Sequence, residues 1–279
     1  MQQNEDVLAK FRAQVPYWET HSETIRDMFA PITEALVQEA HIERGHSVLD
    51  VATGTGEPAL SVGRIVGPAG SVVGVDPVAE TIAAATRASD GLHLTNIRFQ
   101  MASAELLPFP DASFDAVVSR FGIMFFPSPI QAVREMLRVT KAGRKLAFAV
   151  WGFAERNPFH CILSHVVDRY VEPAALQPDA PEIFRFASPG KLLTVLKEGG
   201  ATHPSERLFQ FTINVRLSVE DYWVLRLQMS EKLRKKLTAL ASDTQSAIRR
   251  EVLQALQPYA TAKGLSLPAE VLIVSGAKA

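Results

Sequence analysis

The stretch from Ser47 to Val66, SVLDVATGTGEPALSVGRIV, constrains the fold more than any other part of the chain. A short apolar run, Val48-Leu49, meets an acid, Asp50. A turn of small residues follows, Ala52-Thr53-Gly54-Thr55-Gly56, and Leu60 to Val66 then reads as an amphipathic helix. A strand, a glycine turn and a helix N-terminus in that order let the backbone come close to a nucleotide-like ligand, with free N–H groups pointing at it.

The neighbouring sequence repeats the alternation. Strand two is Ser71 to Val75, continuously apolar as a buried parallel strand should be, and it runs into Asp76-Pro77. A helix over 78–88, a short strand over 97–101, a strand over 114–119, a helix over 128–139 and a strand over 145–151 follow. Apolar strands alternating with helices predict an α/β fold: an open, doubly wound, mostly parallel Rossmann-like sheet. Residues 4–14 and 22–40 read as helices, with Ile25, Met28, Phe29, Ile32, Leu36 and Val37 at helical spacing and Pro31 as a kink or restart. Val15-Pro16-Tyr17-Trp18 between them reads equally as packing or as part of a lid that brings Tyr17 and Trp18 to the ligand.

After Trp151 the pattern changes. A helix is expected over 158–171, an irregular proline- and alanine-rich stretch over 172–187, and a helix that starts at Ser188-Pro189-Gly190 and stops at Gly199-Gly200. A strand over 207–215, helices over 218–229 and 231–258, and a strand over 269–275 complete the chain. The division is an N-terminal helical arm over 1–46, a ligand-binding core over 47–151, a helical cap insert over 152–204, and a C-terminal completion of the sheet over 205–279.

The 279 residues carry 29 Lys and Arg against 30 Asp and Glu, so no overall basic excess points to nucleic acid. A single cysteine, Cys161, excludes an intramolecular disulfide and a multi-cysteine zinc site, and no metal site is expected. The polar N-terminus lacks the apolar core of a signal peptide, and no apolar run approaches about 18 residues. A cytoplasmic protein without membrane insertion is expected. The charged stretch 219–257, with Leu225, Leu233, Leu237 and Leu240 interleaved, reads as an amphipathic cover rather than a dimer helix, with a homodimer as the alternative.

Gly54 to Ala59 fits G-x-G-x-x-A, and Asp76 stands twenty residues after Gly56, where an acid can accept from both ribose hydroxyls of an adenosine. That much suits NAD as well as other adenosine ligands. Asp50 discriminates, because an acid beside the turn disfavours a pyrophosphate and attracts an ammonium or sulfonium. S-adenosylmethionine carries both, together with the ribose. Asp50 can at the same time organise its own turn through backbone N–H groups.

VLDVATGTGEPA, VVGVDP, AELLPFPDASFDAVVSRFGIMFF and EMLRVTKAGRKLAFAVW, in this order, resemble class I S-adenosylmethionine-dependent methyltransferases. The resemblance covers about 47–151 and is strongest to the ubiquinone/menaquinone-biosynthesis methyltransferase-like group. It implies a seven-stranded sheet of order 3-2-1-4-5-7-6 with an antiparallel last strand, the final two strands falling at 206–215 and 270–276. It also implies that Asp50, Ala52, Gly54, Thr55 and Gly56 touch the methionine part of the cofactor. Asp76, followed by Pro77, would bind the ribose, Ser103-Ala104 would meet the adenine, and Ser119 or Arg120 would line the methionine side. The product of such an enzyme is S-adenosylhomocysteine.

This chain departs from that pattern at three places. Ser103 stands where many relatives have an acid, and a serine accepts more weakly. Thr81 stands where many have a methionine on the adenine face. Ala52 replaces a first glycine, which is tolerable at negative φ. Asp111 in PFPD reads as a turn former, and Phe121 is the best candidate to face the transferred methyl, with Trp151 in the same pocket. No catalytic dyad stands out: His21, His160 and His165 are scattered, and each reads as solvated or packed. The acceptor is expected to be a small molecule methylated at oxygen, carbon or nitrogen. An NAD-dependent oxidoreductase and a non-catalytic cofactor-binding protein are the rival readings.

Overall fold

The computed structural model describes residues 2–171 and 179–279. One sheet organises the chain. Strands β1 (Ser47–Val51), β2 (Ser71–Asp76), β3 (Ile97–Met101), β4 (Phe114–Arg120) and β5 (Thr140–Trp151) pair in parallel. β6 (Thr202–Val215) forms the far edge, and β8 (Gly264–Ala277) inserts between β5 and β6, antiparallel to both. The order is β3-β2-β1-β4-β5-β8-β6, with a two-residue strand β7 (Ala260–Thr261) pairing β8. The expected order and the antiparallel last strand are present, and β7 is the addition. β6 and β8 begin earlier than expected because Pro204 and Pro268 interrupt their sequence pattern. The ladder accommodates Pro204 by a register shift between Thr202 and Ser205, and it runs through the Pro268–Thr212 pair.

Val48 to Val51 and Leu146 to Trp151 are buried at every position. Since successive side chains point to opposite faces, both faces of the sheet centre are covered. The helices are α1 (Gln2–Thr20), α2 (Ser22–Glu39), α3 (Ala59–Val66), α4 (Ala79–Gly91), α5 (Pro129–Val139), α6 (Pro158–Val167), α7 (Lys191–Gly199), α8 (Val219–Gln228), α9 (Glu231–Thr238) and α10 (Ser242–Leu256). No described helix is long and apolar enough to cross a membrane.

Several boundaries differ from expectation. Residues 15–18 lie within α1, which carries Pro16 internally, and α2 runs through Pro31. An internal proline costs about 3 kcal/mol, and in α2 the buried face of Met28, Phe29, Ile32, Ala35 and Leu36 offsets that cost. α6 stops at Val167. Pro189 precedes α7, because Gly190 at the entry holds a left-handed φ of 82°. The 231–258 segment breaks at Ala239–Ala241, where Ala241 is extended and Gln245 Nε2 donates to the Leu240 carbonyl at 2.8 Å. Part of the irregular stretch, 172–178, lies outside the described residues, and 179–187 contains no helix or strand.

The β1–β4 edge carries two non-glycine residues in the left-handed region, Ala52 at φ 62° and Phe121 at φ 63°. The negative φ expected at Ala52 is therefore wrong. Thr53 must turn back to donate its N–H to the Val75 carbonyl at 2.9 Å, and that path needs the left-handed step. The two strained residues meet through Gly122, where a Cβ would lie 2.5 Å from Ala52 Cβ and 2.6 Å from Ser119 Oγ.

The start of α6 is tied to the sheet by buried Asn157. Its Nδ2 donates to the carbonyls of Phe153 and Glu270, both at 3.0 Å, and its Oδ1 accepts from Glu270 N at 2.9 Å. Asn157→Ala leaves the buried Glu270 N–H without an acceptor, while Gly152 N and Arg156 N still serve the two carbonyls, and the denaturant midpoint should report a loss of about 1–3 kcal/mol. Ala52→Gly should act in the opposite sense. Release of the left-handed strain, less the added chain entropy, raises unfolding free energy by about 0.5–1 kcal/mol in the same assay.

Candidate functional site

Asp50 closes β1 inside the protein. Its Oδ2 accepts from Thr53 Oγ1 at 2.7 Å and from Ala59 N at 3.1 Å, so it clamps the glycine turn to the start of α3. Its Oδ1 is buried without a partner. Burial pushes this carboxyl up to about 7, against the pull of the Thr53 hydroxyl, the Arg120 charge and the Ala59 amide. Asp76 closes β2 in a related way. Oδ2 accepts from Gly54 N and Oδ1 from Val78 N, each at 3.0 Å, and burial raises this carboxyl too. Both acids thus hold the turn; Asp50 Oδ1 keeps both its lone pairs, and each Asp76 oxygen keeps one. Gly54 and Gly56 have positive φ, and Thr55 borders a cleft of about 200 Å³ between α1 and α4 that Glu19 and Arg87 also line.

Ser119 and Arg120 end β4, the neighbour of β1. Ser119 Oγ is buried without a partner. Arg120 is buried, donates from Nη1 to Thr33 Oγ1 at 2.8 Å, and stands 5.8 Å over the Phe29 ring. Burial lowers its pKa, and the charges of Glu57 and Asp50 oppose that. Glu57 was not singled out by the sequence, yet both its carboxylate oxygens are buried without a partner. The only cue was an acid directly after the glycine turn, in a position usually read as helix-cap chemistry. Asp50, Glu57 and Arg120 feel one another's charge, and no ion pair within 4 Å closes among them. An orphaned buried polar atom costs about 1–3 kcal/mol, so four of them in one place mark a ligand position.

Other expected residues sort into those the fold brings to this place and those it does not. Phe121 and Trp151 come together, stacked at 4.3 Å with planes 6° apart, and Phe29 meets both edge-on. Tyr17 instead lies under Arg234 of α9, 4.8 Å from its Cζ. Trp18 packs on Phe11, which reaches Phe125 just past β4. Ser103 gives its hydroxyl to Glu105, and Ala104 is buried beside it. Ser103 follows β3, whose Met101 pairs Asp76. Pro77 is exposed. Thr81 is buried and donates to the Val78 carbonyl at 2.7 Å. Asp111 forms a turn as expected and pairs Arg138 at 2.8 Å. A larger cleft of about 700 Å³, between Arg216–Glu220 and Ala260–Leu265, contains none of these groups.

His165 is exposed, and His21 Nε2 lies 2.7 Å from Gln228 Oε1. His160 is neither solvated nor satisfied. Its Nε2 is buried without a partner, its ring meets Trp151 at 4.3 Å, and burial, aided by the Arg226 charge, holds its pKa well below the usual histidine value.

A family profile described as a methyltransferase domain matches residues 49–148. The ubiquinone/menaquinone biosynthesis C-methyltransferase UbiE of Hahella chejuensis is 38% identical over 135 residues, 48% of this chain and 53% of its own. The match spans about half the length of such relatives. Among solved structures, YcgJ from Bacillus subtilis superposes with a TM-score of 0.56 at 19% identity, over 88% of this chain and 97% of its own. A candidate methyltransferase from an antibiotic biosynthesis pathway of Anabaena variabilis reaches 0.59 at 14% identity, over 88% and 96%. Residues 49–148 therefore match the methyltransferase domain family, on a Rossmann-like fold that the chain shares with these solved structures.

Proposed function

We propose that the chain transfers a methyl group from S-adenosylmethionine to a small, partly apolar acceptor at oxygen, carbon or nitrogen. The observation that carries this reading is the set of orphaned atoms, Asp50 Oδ1, both Glu57 oxygens and Ser119 Oγ, around a buried Arg120. Two carboxylates and one guanidinium leave one negative charge. The cofactor's ammonium, carboxylate and sulfonium sum to one positive charge, so the two balance. A pyrophosphate would add negative charge to an acidic site, which disfavours the oxidoreductase reading.

In this reading Asp50 and Glu57 face the ammonium and Arg120 faces the methionine carboxylate. The Ala52–Gly56 backbone follows the methionine chain, Asp76 takes the ribose, and Ser103-Ala104 flank the adenine. When bound, the cofactor supplies an electrophilic methyl whose leaving group is a neutral thioether. What remains for the protein is alignment and exclusion of water. Phe121 and Trp151 provide an apolar wall for that task. Helices α1 and α2 of the arm, and α6 and α7 of the insert, close over it. Arg12–Glu80 at 3.0 Å and Arg87–Glu19 at 2.8 Å pin α1 to α4.

Calorimetric titration should show binding of S-adenosylhomocysteine and none of NAD. The opposite pattern would sink the reading. S-adenosylhomocysteine binding without methyl transfer to any member of a broad acceptor panel would favour a non-catalytic role. Asp76→Ala should weaken S-adenosylhomocysteine by about tenfold or more, because two hydroxyls lose their acceptor. The Asp50 carboxyl, raised to about 7, is protonated below that pH, whereas a cationic ligand selects the ionised form. S-adenosylmethionine affinity should therefore rise about tenfold from pH ~5.5 to ~7. Asp50→Asn should flatten that profile, and a pH dependence unchanged in this variant would remove Asp50 from the site.

A further inference from the structure

Next to Trp151 lies a second group of unsatisfied polar atoms, which the cofactor reading does not use. Arg226 of α8 is buried, its Nε has no partner, and among the described residues no carboxylate lies within 4 Å of its guanidinium. Its Cζ stands 5.0 Å over the Phe159 ring, and the ring of His160 meets the same Phe159 at 5.1 Å. His160 Nε2 is the other orphan. The nearby Tyr222 hydroxyl donates to the Phe159 carbonyl at 2.6 Å and lies within hydrogen-bond reach of the Arg226 guanidinium, which leaves Nε as the free buried donor. An arginine stays charged wherever it is placed, and a buried charge without a counter-ion is costly. His160, kept neutral by its surroundings, brings no second positive charge but offers an imidazole nitrogen.

The topology puts this pair on the acceptor's side. β6 runs antiparallel to β8, and β8 runs antiparallel to β5, so β6 ends at the same sheet edge as β4 and β5. α8 starts three residues after β6, behind a Ser218–Asp221 capping box. A continuous run of ring contacts leads from Phe121 to Trp151 to His160 to Phe159, and Arg226 covers its end. A guanidinium fork matches the two oxygens of a carboxylate, and stacked rings suit an aromatic body.

We propose that Arg226 and His160 bind the carboxylate of the methyl acceptor, and that the acceptor is an aromatic carboxylic acid. As an assignment of the acceptor this rests on the methyltransferase reading, but the anion site can be tested without the cofactor. The full chain is titrated calorimetrically with 4-hydroxyphenylacetate and indole-3-acetate, each against its neutral amide. Each acid should bind at least about tenfold more tightly than its amide, as a charge-assisted pair requires. Arg226→Gln should abolish the preference, and His160→Gln should reduce it. Both variants should keep the wild-type affinity for S-adenosylhomocysteine. Arg226→Lys, which retains the charge and covers the case in which the glutamine variant does not fold, should keep the preference at lower affinity.

Acids and amides binding alike, neither binding, or a preference that survives Arg226→Gln would each overturn the assignment, whatever S-adenosylhomocysteine does. An acid preference that depends on Arg226, in a chain that fails to bind S-adenosylhomocysteine, would support the anion site and overturn the methyltransferase reading instead.

Discussion

One oxygen of Asp50 is fastened to Thr53 and Ala59, and the other is left bare in a place that water does not reach. The rest of the site depends on this division. The fastened oxygen fixes the path from β1 through the glycine turn into α3, and Asp76 fixes the same turn from β2. The bare oxygen, with Glu57 and Ser119, keeps an unmet demand at the sheet edge. Burial raises that carboxyl to about 7, so near neutral pH a cation beside it would favour the ionised form. In the proposed reading the clamp and the recognition element are one side chain.

The sheet order turns this local device into a site. β1 and β4 are neighbours, so the turn after β1 meets Ser119 to Gly122 after β4. The contact is tight enough to need glycine at 122 and left-handed backbone at Ala52 and Phe121. Strain of this kind persists only where the surroundings over-determine it. Here the ladder on both sides and the Asp50 clamp do so. β5 then brings Trp151 against Phe121, and Asn157 fixes where the chain leaves β5 for the cap.

What the sequence made legible was whatever is local. Apolar runs at 48–49, 72–75 and 116–118 marked the central strands, and small residues between acid and helix marked the turn. The edges of elements were not legible, because tertiary contacts decided them. Pro16 and Pro31 read as breaks, yet helix continues through both. Pro204 and Pro268 read as strand ends, yet the β6–β8 ladder absorbs them. The unsatisfied groups were the least legible. His160 looked like an ordinary packed or solvated histidine because nothing in its own segment shows that α6 and α8 would bury it beside Arg226. Glu57 was not singled out because its lack of partners exists only in the folded chain. Want of a partner is a property of three-dimensional packing, and no spacing rule encodes it.

The two groups of orphans differ in sign, and that difference limits the chemistry. The turn end is negative, with Asp50 and Glu57 against Arg120. The cap end is positive, with no carboxylate paired to Arg226 among the described residues and a neutral imidazole beside it. The stacked Phe121 and Trp151 separate them with apolar surface. An acceptor whose carboxylate is anchored at Arg226 is therefore held by the end far from the methyl donor. That carboxylate, paired and turned away, is not the nucleophile. Under the proposed reading, the methylated atom would project from the opposite end of the acceptor's apolar body, toward Phe121, and the product would not be a methyl ester. Anchoring by charge at one end, with alignment by rings in between, leaves reactivity to whichever oxygen, carbon or nitrogen reaches the donor. In such a site the spacing between carboxylate and nucleophile, rather than the kind of nucleophile, decides which acids are methylated.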